Sequence, residues 1–191
     1  MQTTFATLFG RAGEQTLIQK AALVLLGSVL LAVSAKVQVP FWPVPMTMQT
    51  LVVLLIGAHA GTRLAGATVF AYLLEGAVGL PVFSTGAGLA FMAGPTGGYL
   101  VGFLLSAIMV SFAFERGLAR TLPKALAVFV AGDLVILGLG VAWLSTLIGF
   151  EKALMVGVVP FLPAEALKIA LAAASLPLVS RFTARDTDHT A

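Results

Sequence analysis

The sequence predicts an all-α fold, a polytopic membrane protein of six transmembrane helices with ordered outer loops, and three observations predict it. Of its 191 residues, 59% are hydrophobic and only 10% are charged, with a mean hydropathy of +1.04, far from the balance of a soluble domain. Apolar runs near the length of about 20 residues that a helix needs to cross hydrocarbon recur six times. The positive charges fall between those runs. Residues 1–191 read as one six-helix transmembrane domain, with polar termini at 1–16 and 181–191 and no repeat, linker or second unit.

The spans are drawn at 17–35, 47–61, 63–80, 95–115, 124–148 and 157–180. The lead-in from Met1 to Gln19 lacks a short apolar core followed by a small-residue cleavage site, so it reads as a retained polar segment. The second span is short and the fifth long, which predicts tilt or a kink. The tail from Arg181, with Arg185, Asp186, Asp188 and His189, is expected to fray.

Orientation follows from the basic residues. With a cytoplasmic amino terminus, Arg11, Lys20, Arg63, Arg116, Arg120, Lys124, Arg181 and Arg185 all fall inside, while Lys36 and Lys152 fall outside. That asymmetry assigns both termini to the cytoplasm of a multi-pass plasma-membrane protein. The net charge of +3 and pI near 9.6 are therefore topology signals, not a nucleic-acid surface. The absence of cysteine removes thiol nucleophiles and cysteine metal sites, and His59 and His189 leave little for a metal cluster.

Two outer connections differ from the rest. Val37 to Met46 holds Pro40, Pro43 and Pro45, which forbid a continuous helix and predict an extended lip. Gly79 to Tyr99 is rich in Gly and Pro, a backbone able to pack closely over a ligand. Irregular backbone at membrane depth persists only where protein or a water-filled cavity satisfies it. Both loops share the outer side with the start of the sixth span, where Glu165 and Lys168 interrupt an apolar run. A pocket open to the outside, capped by the loops and floored by that pair, is the economical expectation.

On a helix, positions i and i+3 share a face, so Glu165 and Lys168 either address one small solute or neutralise each other between helices. Charge at membrane depth favours a functional role, and a lone buried ion pair is weak evidence for stability. A cyclic urea suits the pair, with N–H groups donating to Glu165 and its carbonyl accepting from Lys168; a ligand carboxylate taking Lys168 is the alternative. Asp133 falls in the inner half of span five and reads as a packing or capping residue. Glu75 either lines the pocket or bonds a loop. Gln49 and Thr47 offer hydrogen bonds at the mouth of span two, where Thr47 serves equally as a helix cap. Phe41, Trp42, Phe83 and Tyr99 lie at interface depth, as membrane anchors or as an apolar wall for a ring or alkyl chain. Gly57-x-x-x-Gly61 and Gly98-x-x-x-Gly102 allow close helix packing. Gly94-Pro95-Thr96-Gly97-Gly98 lacks the lysine of a phosphate loop, so an energy source belongs to another chain or is not used.

The stretches Pro43 to Leu51, Tyr72 to Phe83 and Gly94 to Phe103 resemble the BioY family, the biotin-specific substrate-binding components of energy-coupling factor (ECF) transporters. The resemblance runs from about Val37 to Leu176 and includes the proline, acidic residue and lysine at the start of the last helix, with Glu165 where aspartate is expected. It implies a six-helix fold, an outward-facing biotin pocket, no enzymatic activity and no cofactor. It also implies a transmembrane coupling protein and a pair of cytosolic ATPases as partners, alongside membrane lipid. The binding role carries over to Glu165 and Lys168 most directly, then to Gln49, Thr47, Tyr72, Phe83, Tyr99 and Trp42. The Ala-x-x-x-Ala docking pattern of such components becomes Ser28-x-x-x-Ala32 here. Three other readings compete: a subunit for another small vitamin, a passive packing subunit, and an intramembrane hydrolase. The hydrolase lacks a Gly-x-Ser-x-Gly elbow and a histidine placed to act as its base.

Overall fold

The computed structural model describes residues 16–184. The sequence-assigned features at Arg11, Arg185, Asp186, Asp188 and His189, and most of the polar lead-in, lie outside the described residues.

Helix α1 (Leu17–Lys36) opens with a capping box: Thr16 Oγ1 accepts from Gln19 N at 3.3 Å and Gln19 Oε1 accepts from Thr16 N at 2.9 Å. It stops at Val37, where the backbone turns extended three residues before Pro40. The proline-rich connection is an ordered lip, as its composition predicts. Strands β1 (Gln38–Val39) and β2 (Met46–Thr47) pair antiparallel across it, with Gln38 opposite Thr47 and Val39 opposite Met46. The Trp42–Pro43 peptide is cis.

Helices α2 (Gln49–His59) and α3 (Thr62–Ala77) follow. Gly61, at φ +81°, turns the chain between them, and the Glu115 carboxylate accepts from Thr62 N at 2.8 Å at the start of α3. The Gly-rich connection contains a one-turn helix, α4 (Gly88–Met92), where the sequence predicts only loop.

Helices α5 (Gly97–Glu115) and α6 (Leu122–Ile148) form the most intimate pair in the fold. Gly102 explains the close approach, because a Cβ there would stand 2.8 Å from Ile136 Cα. Pro123 sits in the first turn of α6, where a missing N–H costs nothing.

The last part of the bundle departs from the predicted helix at 157–180. Gly149, at φ +85°, ends α6 and reverses the chain into a short helix, α7 (Phe150–Gly157), which packs against α6. After the break at 158–161 comes α8 (Leu162–Ala184), and the two axes differ by 52°. The prolines and glycine at the break, Gly157, Pro160 and Pro163, account for it. Among the described residues, three helices, α1, α5 and α6, are long and apolar enough to cross a membrane, and the bent α7–α8 pair makes a fourth if taken as one span. At 11 residues, α2 is about 16 Å long, short of the roughly 30 Å hydrocarbon thickness.

The main apolar core joins Leu31, Val53, Val69, Tyr72, Phe83, Tyr99, Phe103, Ile136 and Leu144, drawn from nearly every helix. Leu25, Leu26, Val29, Leu30 and Val33 of α1 remain exposed. This is the surface expected of a helix facing lipid.

Candidate functional site

The ends of α1 and α3 and the starts of α2, α5 and α8 meet at one end of the bundle, beneath both irregular connections. A pocket opens there, with about 490 Å³ of empty space when its mouth and the adjoining open solvent are included. Its floor carries Glu165, Thr50 and Gln49. Its walls are aromatic: Tyr72, Phe83, Phe91, Tyr99, Phe103 and Phe161.

Glu165 and Lys168 are 4% and 3% exposed. Lys168 Nζ donates to Glu165 Oε1 at 2.7 Å, to Thr50 Oγ1 at 2.9 Å and to the Thr47 carbonyl at 2.6 Å. An ammonium has three N–H donors, so all are used. The Thr50 hydroxyl in turn donates to Glu165 Oε2 at 2.7 Å. Ammonium, carboxylate and hydroxyl thus close a ring that ties α8 to the start of α2. Glu165 faces the pocket, whereas Lys168 stands behind it and is not among the lining residues. Each carboxylate oxygen keeps a lone pair for a ligand donor, so this floor is built to receive N–H groups.

Thr47 Oγ1 accepts from Gln49 N at 3.3 Å, although the N-cap position of α2 belongs to Met48. Gln49 Nε2 donates to the Tyr72 hydroxyl at 2.7 Å, which donates on to the Val82 carbonyl at 3.2 Å. That relay fixes two walls relative to the second loop. Phe83 stands edge-on to Tyr72, centroids 5.5 Å apart, and stacks on Phe91 at 5.1 Å. Tyr99 donates to the Gly157 carbonyl at 2.8 Å. A Cβ at Gly140 or Gly157 would strike its ring or hydroxyl, so those glycines make its slot. Lys36 donates to the Phe83 carbonyl, and Trp143 Nε1 donates to the Gly94 carbonyl at 2.8 Å; both pin the second loop.

Six of the eight sequence candidates, Glu165, Gln49, Thr47, Tyr72, Phe83 and Tyr99, therefore line one pocket, and Lys168 adjoins it. Trp42 does not: it is 87% exposed on the lip, away from the lining. Thr50, Phe91, Phe103 and Phe161 line the pocket without having been singled out. Phe161 carried a signal, one helical turn before Glu165; Thr50 carried none, because its partners lie far along the chain.

Asp133, read as a packing or capping residue, is 4% exposed, does not line the pocket and lies within electrostatic reach of Glu165 and Lys168. One reading requires correction. Glu75 neither lines the pocket nor bonds a loop: the Ser28 hydroxyl lies 2.6 and 2.7 Å from its two oxygens. Ser28 consequently faces α3, inside the bundle, and is not offered outward with Ala32. Among the described residues, no group of three histidine or acidic side chains is arranged to hold a metal.

The family model described as BioY family matches residues 2–185. The chain belongs to the BioY family. Among curated BioY relatives, the probable biotin transporter BioY of Pyrococcus horikoshii is 36% identical over 81% of this chain and 91% of its own length. The biotin transporter BioY of Thermotoga maritima is 38% identical over 75% of this chain and 85% of its own. The fold of this BioY chain matches a crystal structure of the S-component for biotin from an ECF-type ABC transporter, with a TM-score of 0.75. That match has 22% identity and covers 87% of this chain and 95% of that one. The likeness is one of fold.

Proposed function

We propose that the chain is a membrane-embedded biotin-binding subunit that mediates biotin uptake, a transport component and not an enzyme. The observation that carries this reading is the buried Glu165–Lys168–Thr50 ring at the floor of an aromatic pocket, in a chain whose BioY relatives are named biotin transporters. The Glu165 carboxylate suits the two urea N–H groups of biotin, and Phe83, Phe91, Tyr99 and Phe103 suit its apolar ring and arm.

The topology proposed is one domain over residues 1–191 crossing six times: α1, α2 with its flanking loops, α3, α5, α6 and the α7–α8 pair. Both termini are placed in the cytoplasm by the basic residues. A transmembrane coupling protein and two cytosolic ATPases are the proposed partners, supported by the fold likeness to an S-component of an ECF-type transporter. Uptake without partners is the second reading. The inward position of Ser28, which removes it from the small-residue face of α1, favours that alternative.

Purified protein should bind biotin near-stoichiometrically, and Glu165→Ala or Lys168→Ala should weaken binding severely. Wild-type affinity in both variants would remove the assigned site. Displacement by a different vitamin, but not by biotin analogues, would overturn the choice of ligand.

A further inference from the structure

We infer that the hydroxyls of Ser84 and Thr96 form a second polar end of the pocket, which holds the ligand's carboxylate and selects the free acid over its neutral derivatives. The inference deepens the biotin reading above and rests on it. It also assigns the opposite end of the ligand to Glu165.

Six hydroxyl side chains line the pocket: Thr47, Thr50, Tyr72, Ser84, Thr96 and Tyr99. Four have already given their proton away, Thr47 to Gln49 Oε1, Thr50 to Glu165, Tyr72 to the Val82 carbonyl and Tyr99 to the Gly157 carbonyl. The other two have not. Thr96 Oγ1 is buried without a partner among the described residues. Thr96 holds the N-cap position of α5, where a threonine hydroxyl ordinarily accepts from the first turn, yet its side chain makes no such bond. Ser84 is 9% exposed, and its hydroxyl also lacks a partner among the described residues. A buried hydroxyl left idle is costly and calls for an explanation, and a ligand acceptor in the cavity supplies one.

Both residues belong to the second connection, one near each end, and the stacking of Phe91 on Phe83 folds that connection over the cavity they border. Their surroundings favour an anion. The Lys36 ammonium is bonded to the carbonyl of Phe83, the residue before Ser84. Thr96 stands at the start of the 19-residue α5, where the peptide dipoles present their positive end. Glu165, by contrast, lines the cavity from α8 as an acceptor for N–H groups and repels a second carboxylate. Along α5, Thr96, Tyr99, Leu100 and Phe103 follow helical spacing and make one wall about 10 Å long, a surface for the apolar arm that joins the two ends of the ligand.

The test is titration of the full chain with biotin and with biotinol, in which a primary alcohol replaces the carboxyl group. In the double variant Ser84→Ala, Thr96→Val, the Kd for biotin should rise about tenfold, while that for biotinol should stay within about twofold. Thr96→Ser alone should keep most of the affinity for biotin. The ligand-free melting temperature of the double variant should not fall, since neither hydroxyl has a partner in the fold. An unchanged biotin Kd, or equal losses for biotin and biotinol, would overturn the inference while leaving the biotin reading intact. A second measurement needs no variant: wild-type protein should bind biotinol about tenfold more weakly than biotin, and equal affinities would also overturn the carboxylate assignment. Wild-type protein that binds neither compound would take the biotin reading down as well.

Discussion

Thr50 and Glu165 are 115 positions apart in sequence, yet the threonine hydroxyl donates to the glutamate at 2.7 Å while accepting from Lys168 at 2.9 Å. One small side chain thereby orients both charged groups. Thr50→Val, nearly isosteric, should weaken biotin binding by about tenfold, the cost of leaving buried charged groups a partner short. Thr50→Ser should recover most of the affinity. Calorimetric titration of both variants checks this.

Stability should respond to the ion pair differently from binding. Lys168→Met leaves Glu165 buried without its counter-charge and should destabilise the protein by about 3–5 kcal/mol, visible as a lowered melting temperature in detergent. Adding Glu165→Gln should restore much of that stability without restoring biotin binding. A double variant as unstable as the single one would contradict this account.

The approach of α5 to α6 depends on Gly102, where a Cβ would stand 2.8 Å from Ile136 Cα. Gly102→Ala should lower stability by about 1–3 kcal/mol. Gly138 is the control: it lies mid-helix on α6, and a methyl added there would meet nothing within 4 Å, so Gly138→Ala should be neutral or gain up to about 1 kcal/mol of helix propensity. Thermal unfolding of the two alanine variants separates them.

The second loop is held at its far end by Trp143, which donates to Gly94. Trp143→Phe keeps an aromatic ring and removes the bond, and should raise the biotin dissociation rate about threefold. Stopped-flow chase with unlabelled biotin measures it.

Trp42 should be dispensable for binding. It is 87% exposed and outside the pocket lining, so Trp42→Ala should leave the biotin Kd within about twofold, as expected for a surface substitution. A loss approaching that of Thr50→Val would show that the lip closes over the ligand.

Helices α1, α5 and α6 were legible to within about two residues because each is a long apolar run bounded by Pro, Gly or charge. Helix α7 was not, since apolar residues continue on both sides of the break and only Gly157 and Pro160 mark it. Glu165 and Lys168 stood out as charges in an apolar stretch. Thr50 and Asp133 did not, because their relation to the pair depends on the register between helices, which no local pattern encodes. The same limit applied to Ser28 and Glu75, whose bond joins α1 to α3.

The break between α7 and α8 has an electrostatic result. Because a new helix begins at Leu162, Glu165 occupies a first turn, where the peptide dipoles present their positive end and favour an anion by about 0.3–1 kcal/mol, more when buried. An unbroken helix from Phe150 onward would place the same glutamate mid-helix and withhold that field. The bend therefore turns a helix start, with the positive end of its dipole, toward the floor of the pocket.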